Sequence, residues 1–190
     1  ISTVTPTCAT SESLTIMINP NPTVSFIPGA TIGCPPFETS LTNTTPNSQN
    51  CVWTISNGIE LTGCGSIPVI FSNVGCYDVT LTTTVSNGCT SSLTMNNLIC
   101  VENNPIASFS TSTNELSILD TEVLFENTST GASTYEWYFG VNDAESSLEN
   151  PIFTFPNDYE TGQYEVILIA ISTIGCTDTA ETIIQINEEL

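Results

Sequence analysis

The chain has 190 residues, with 20 Asp and Glu, no Lys, Arg or His, and a formal net charge of −20. Without a cationic side chain it cannot neutralise phosphates and it repels an anionic membrane, which excludes direct nucleic-acid binding and membrane insertion as partners. The same absence removes the imidazole of serine and cysteine triads, the Schiff-base lysine and the lysine of a phosphate loop. Hydrophobic residues at 39% suffice for a packed core, and the low charged fraction of 11% reads as strand more than as solvated coil. No side-chain salt bridge can form, so stability must come from burial, sheet hydrogen bonds and disulfides, in a milieu whose ions screen the self-repulsion.

In chain order, Ile1 to Ile18 reads ISTVTPTCATSESLTIMI and resembles IAISTIGCTDTAETIIQI from Ile169 to Ile186. Residues 1–19 are therefore expected to be the terminal hairpin of a preceding repeat, turning around Pro6 to Cys8, in an array longer than this chain. Residues 20–101 form the first whole repeat. Its strand-like runs are Thr23–Ile27, Phe37–Thr44, Cys51–Ser56, Ile59–Thr62, Pro68–Phe71, Cys76–Val85 and Thr90–Cys100. Asn57-Gly58 and Asn87-Gly88 predict tight hairpins, because both residue types tolerate positive φ. Tyr77, Val79, Leu81 and Thr83 alternate with Asp78, Thr80, Thr82 and Thr84, the pattern of a half-buried strand.

Residues 102–190 repeat the scheme. Leu41, Asn43 and Trp53 recur as Phe125, Asn127 and Trp137 at an offset of 84, and Tyr77, Val79 and Cys89 recur as Tyr164, Val166 and Cys176 at an offset of 87. The drift predicts a longer loop between Trp137 and Gly162. Seven strands in each repeat predict an all-β chain of tandem immunoglobulin-like β-sandwiches arranged end to end, with a boundary near Cys100 to Asn104. Trp53, Tyr77, Trp137 and Tyr164 are the expected structural core, each tyrosine set to cap a turn as a tyrosine corner.

Trp137-Tyr138-Phe139-Gly140, Asn150-Pro151-Ile152-Phe153-Thr154-Phe155 and Gly162-Gln163-Tyr164-Glu165-Val166 make the second repeat resemble a polycystic-kidney-disease (PKD) domain. Val141 and Asn142 depart from the aspartate-glycine pair of that family's motif. The first repeat matches through Gly75-Cys76-Tyr77-Asp78-Val79. With the cysteines and the linker ICVENNPIASF, the chain resembles the PKD-like arrays of giant surface adhesins of gliding Bacteroidetes, which are exported by the type IX secretion system.

Eight cysteines, several beside turn glycines, predict an oxidised extracellular framework concentrated in the first repeat: Cys34, Cys51, Cys64, Cys76, Cys89 and Cys100. Cys64–Cys76 is the leading pair because it closes a short loop. Cys34–Cys100 and Cys51–Cys89 come second, with Cys100–Cys176 as the main competitor, and Cys8 is expected to lack its native partner.

Other candidates carry a bland reading beside the sharp one. Asp143, Glu145 and Glu149 share one loop and Asp158 and Glu160 another; these oxygens suit calcium, the one cofactor considered, but match no EF-hand spacing, so a diffuse acidic surface is the default. Acidic residues number three from Pro20 to Cys100 and 16 from Val101 to Leu190. Glu126 and Glu136 are the pair to test for hydrolysis, although a small sandwich offers no cleft for them. Asn43-Thr44-Thr45 and Asn127-Thr128-Ser129 match the N-glycosylation sequon yet read as turn caps. Asp178-Thr179-Ala180 resembles a short O-glycosylation motif, with Thr179 as acceptor.

The chain thus reads as a non-catalytic stretch of an outer-membrane-attached adhesin, a stalk or multivalent attachment module whose partners are neighbouring repeats and a surface polysaccharide or protein. The alternative is a carbohydrate-binding module of a secreted hydrolase, using an exposed aromatic row of Phe139, Phe153, Phe155 and Tyr159. A structural surface-layer or filament subunit is the third class.

Overall fold

The computed structural model describes residues 13–15, 20–156 and 161–188. Tyr159, Asp158, Glu160, Cys8 and all but residues 13–15 of the expected N-terminal hairpin lie outside the described residues.

The first half contains β1 (Phe26–Pro28), β2 (Ile32–Gly33), β3 (Phe37–Asn43), β4 (Ser48–Ile55), β5 (Glu60–Thr62), β6 (Ser66–Phe71), β7 (Gly75–Val85) and β8 (Thr90–Val101). The second contains β9 (Phe109–Thr111), β10 (Glu115–Ser117), β11 (Glu122–Asn127), β12 (Thr134–Tyr138), β13 (Glu145–Ser146), β14 (Ile152–Thr154), β15 (Gly162–Ile171) and β16 (Thr177–Asn187). Each half is a sandwich of one three-stranded and one five-stranded sheet. The orders are β1-β3-β6 over β2-β8-β7-β4-β5, and β9-β11-β14 over β10-β16-β15-β12-β13. The two halves therefore share one topology, the architectural content of the sequence repeat.

Alternation decides which residues enter the core. In β7, Tyr77, Val79, Leu81 and Thr83 point inward and are buried. They meet Phe26, Leu41, Val69 and Phe71 from the facing sheet around Trp53. In the second sandwich, Val166 and Leu168 of β15 pack with Val123, Phe125, Phe155 and Trp137. Both tryptophans have no exposed surface. Each indole N–H finds a carbonyl, Trp53 Nε1 donating to Gly63 O at 3.0 Å and Trp137 Nε1 to Leu148 O at 2.9 Å, so the ring is buried without an orphaned donor. The predicted hairpins close with Gly58 at φ 90° and Gly88 at φ 82°, where a Cβ would be strained.

Among the described residues, eight strands per sandwich replace the expected seven. The addition is β2, and its counterpart β10, each pairing in parallel with the last strand of its sandwich. Two or three residues are too few to show a period of two. A packing exchange accompanies these strands. A Cβ on Gly33 of β2 would lie 2.1 Å from the Phe37 ring; the positions matching Gly33 and Phe37 are Leu116, buried, and Thr121. The large side chain comes from the third strand in one sandwich and from the second strand in the other. Phe71 pairs with Phe37, and Phe155 N donates to Thr121 O, so the offset, 85 at the β5 and β13 pairings, is again 84 at Phe155. The extra residues fall between Phe155 and Gly162, a narrower interval than expected.

Candidate functional site

The three disulfides among the described residues differ in pairing from every expected one. Cys51 bonds Cys64, Cys76 bonds Cys100, and Cys34 bonds Cys176. The leading pair Cys64–Cys76 fails because the short loop between them holds β6, which runs in the other sheet. A strand of that length spans about 20 Å and carries its two flanks to opposite ends of the sandwich. Cys76 and Cys100 instead face each other directly across β7 and β8, with Cα atoms 4.1 Å apart. Cys51 lies next to the β4–β5 pairing, where Gly63 N donates to Cys51 O at 3.0 Å and brings Cys64 within reach. Cys34–Cys100, Cys51–Cys89 and Cys100–Cys176 are excluded by the same three bonds. Cys89, expected in a disulfide, is a free, half-buried thiol.

The second sandwich has no internal disulfide among its described residues. Opposite each other on β15 and β16, Gln163 Nε2 donates to Gln185 Oε1 at 2.7 Å where the first sandwich has Cys76–Cys100. Its interior is richer in aromatic contacts: Phe139 and Phe153 stack at 4.1 Å, Phe153 meets Phe155 edge-on at 4.9 Å, and Phe109 meets Trp137 edge-on at 5.0 Å. Phe139 and Phe155 are fully buried and Phe153 packs on the core. The three phenylalanines of the expected exposed row are therefore part of the hydrophobic interior, since they sit on inward-facing positions of the two sheets.

The third disulfide forms a joint. Gly33 O accepts from Glu102 N at 3.0 Å, so Cys34, the next residue, stands beside the end of β8, where the chain leaves the first sandwich. Cys176 lies in the β15–β16 hairpin. That hairpin stands beside the entry of the second sandwich, because the Asp178 carboxylate accepts from Ala107 N at 2.8 Å. The exit pole of one sandwich is thus bonded to the entry pole of the next, with Cα atoms 5.5 Å apart and Cys176 buried. Sequence reasoning missed this pair. Its signal was present: Cys176 is the one cysteine in residues 102–190, so within its own repeat it has no partner.

The entry poles are built alike. Thr44 N donates to Ser25 O and Ser25 N to Thr45 Oγ1, at 2.9 and 3.0 Å; Thr128 N donates to Ser108 O and Ser108 N to Ser129 Oγ, at 2.8 and 3.0 Å. Asn43 and Asn127, the sequon asparagines, each accept through Oδ1 from the backbone N–H two residues on, at 2.9 Å. Asn43 Nδ2 also donates to Cys64 O at 3.3 Å. Both side chains are turn caps.

Tyr77 forms the tyrosine corner, its hydroxyl donating to Asn73 O at 2.7 Å. Tyr164 is half-buried, 5.1 Å from the Phe155 ring. Asp143, Glu145 and Glu149 do not converge: no group of three acidic or cysteine side chains among the described residues is placed to hold a metal. Glu126 and Glu136 are exposed on strands of opposite sheets, with the core between them, so they share no substrate. Glu136 instead sits beside Tyr138, whose hydroxyl donates to Glu136 Oε2 at 3.3 Å. The Glu136 charge, followed by desolvation and Glu145, holds the phenol above its ordinary value of 10.0. Thr179 is exposed on β16.

No family model matches the chain, and no curated protein matches it. Among solved structures it is similar to the PKD1 domain of the Vibrio cholerae metalloprotease PrtV, at 25% identity over 44% of this chain and 98% of that one, TM-score 0.37. The PKD1 domain of Vibrio anguillarum Epp is 27% identical over 45% of this chain and 96% of that one, TM-score 0.38. A calcium-stabilised adhesin with which an Antarctic bacterium binds ice is 12% identical over 80% of this chain and 44% of that one, TM-score 0.50. At that identity the last likeness is one of fold, and it agrees with the all-β tandem sandwiches described above.

Proposed function

We propose that this chain is a non-catalytic, PKD-like repeat segment of an extracellular adhesin, serving as stalk and multivalent attachment module, with residues 1–19 closing a preceding repeat and residues 20–101 and 102–190 as successive units. The observation that carries the reading is the Cys34–Cys176 bond between two sandwiches of one topology. A spacer that must hold its reach under pull gains from a covalent lock at its joint, whereas an enzyme gains from a cleft. The paired carboxylates that hydrolysis would need stand on opposite outer faces, and three disulfides suit an oxidising compartment outside the cell. Attachment to an outer membrane, export by a type IX system and a part in gliding rest on the family resemblance and belong to the same proposal. The ligand class is a surface polysaccharide or protein.

An antibody against the chain tests it. Intact source cells should be labelled at their surface, and deleting the coding segment should reduce their attachment to solid or polysaccharide surfaces. Labelling only after permeabilisation overturns the proposal.

A further inference from the structure

Cys89 and Cys176 occupy one position in two congruent hairpins. Val85 N donates to Cys89 O at 3.0 Å and Gly88 N to Val85 O at 2.9 Å; Ser172 N donates to Cys176 O at 2.8 Å and Gly175 N to Ser172 O at 3.1 Å. Gly88 and Gly175 share a positive φ, 82° and 88°. In the second sandwich this hairpin cysteine is bonded to the exit pole of the sandwich before it and is buried there. In the first sandwich it is a half-buried free thiol. The same hairpin borders an open cleft of about 330 Å³ at the entry pole, floored by Pro20, Pro22 and Pro46.

We propose that the entry pole of the first sandwich is the receiving half of a second inter-domain disulfide joint, with Cys89 as its thiol. The partner is a cysteine on an upstream sandwich of the same polypeptide, placed as Cys34 is, directly after the short parallel strand beside the last strand. Residues 1–18 carry a sequence like that of the last hairpin of either repeat and run into Pro20-Asn21-Pro22, as Val101 runs into Asn103-Asn104-Pro105. An upstream exit pole would therefore stand over the cleft as the first sandwich stands over the second. The bond joins Cys89 Sγ to the partner Sγ. The two thiols give up two protons and two electrons, which a protein disulfide of the export compartment takes up by exchange, becoming a dithiol. The joint has a direction, because each hairpin cysteine reaches toward the preceding sandwich. At the second sandwich the position matching Cys34 is Ser117, so its own exit pole offers no thiol for such a bond.

The inference rests on the tandem reading and is tested separately from it. Protein of native length is taken from source cells, quenched in acid, alkylated with N-ethylmaleimide, and digested unreduced with pepsin, since trypsin has no Lys or Arg to cut. The Cys89 peptide should be lost from the alkylated pool and found joined to a peptide from upstream of Ile1, beside the Cys34–Cys176 pair in the same digest. Alkylated Cys89, Cys89 joined to Cys8, or Cys89 joined to the same residue of a second copy would each overturn the inference. A surface-labelled protein with alkylated Cys89 would leave the adhesin reading standing and remove this joint alone.

Discussion

Removing the joint with Cys34→Ser and Cys176→Ala should destabilise both sandwiches, not one. When the second sandwich unfolds alone, the bond ties its last hairpin to a folded neighbour and closes a loop of roughly 75 residues, worth about 4.5 kcal/mol of unfolded-state entropy on the chain-entropy relation. When the first unfolds alone, Cys51–Cys64 and Cys76–Cys100 shorten the path from Cys34 to the linker to roughly 35 residues, which still gives just under about 4 kcal/mol. Such losses are a large part of the stability of a domain of this size. The assay is a urea titration read by pulsed hydrogen exchange, following β4 for the first sandwich and β12 for the second. With a slope near about 1 kcal/mol per molar, both midpoints should fall by several molar. A change below about 0.5 kcal/mol in the second sandwich, or a change confined to the first, would refute the coupling argument.

Trp137→Ala removes a fully buried ring and orphans the Leu148 carbonyl; it should cost about 4 kcal/mol and melt the second sandwich first, as seen by calorimetry. Tyr77→Phe deletes the 2.7 Å bond to Asn73 O and should cost about 1 kcal/mol in chemical denaturation; an unchanged midpoint would show that the corner contributes nothing. Gly33→Ala should lose about 2 kcal/mol against the Phe37 ring, and Gly33→Leu with Phe37→Thr should recover most of the stability by adopting the arrangement of Leu116 and Thr121. Tyr138 should titrate above 10 in ultraviolet absorbance and fall toward it in Glu136→Gln. The phenol is held neutral in the fold, so any stability it contributes is complete below pH 10 and is lost as pH rises through the raised value.

The sequence by itself determined what depends on local pattern and on its repetition along the chain. Alternation in Tyr77 to Thr83 fixed a strand and its inner face, Asn-Gly pairs fixed hairpins, and the recurrence of Trp53 as Trp137 and of Asn43 as Asn127 fixed two sandwiches of one kind. Tertiary structure decided what depends on which strands become neighbours. Cys64 and Cys76 are close in the chain but lie at opposite ends of β6, whereas Cys76 and Cys100 meet only because β7 and β8 pair in that register. The aromatic residues Phe139 and Phe155 read as a surface row because hydrophobic side chains alone do not tell an inner face from an outer one; the facing sheet buries them. The Cys34–Cys176 joint lay furthest from view. It requires the two-residue strand β2, too short to leave a periodic signal, to set Cys34 beside the end of β8, and a second sandwich to bring its hairpin to that spot.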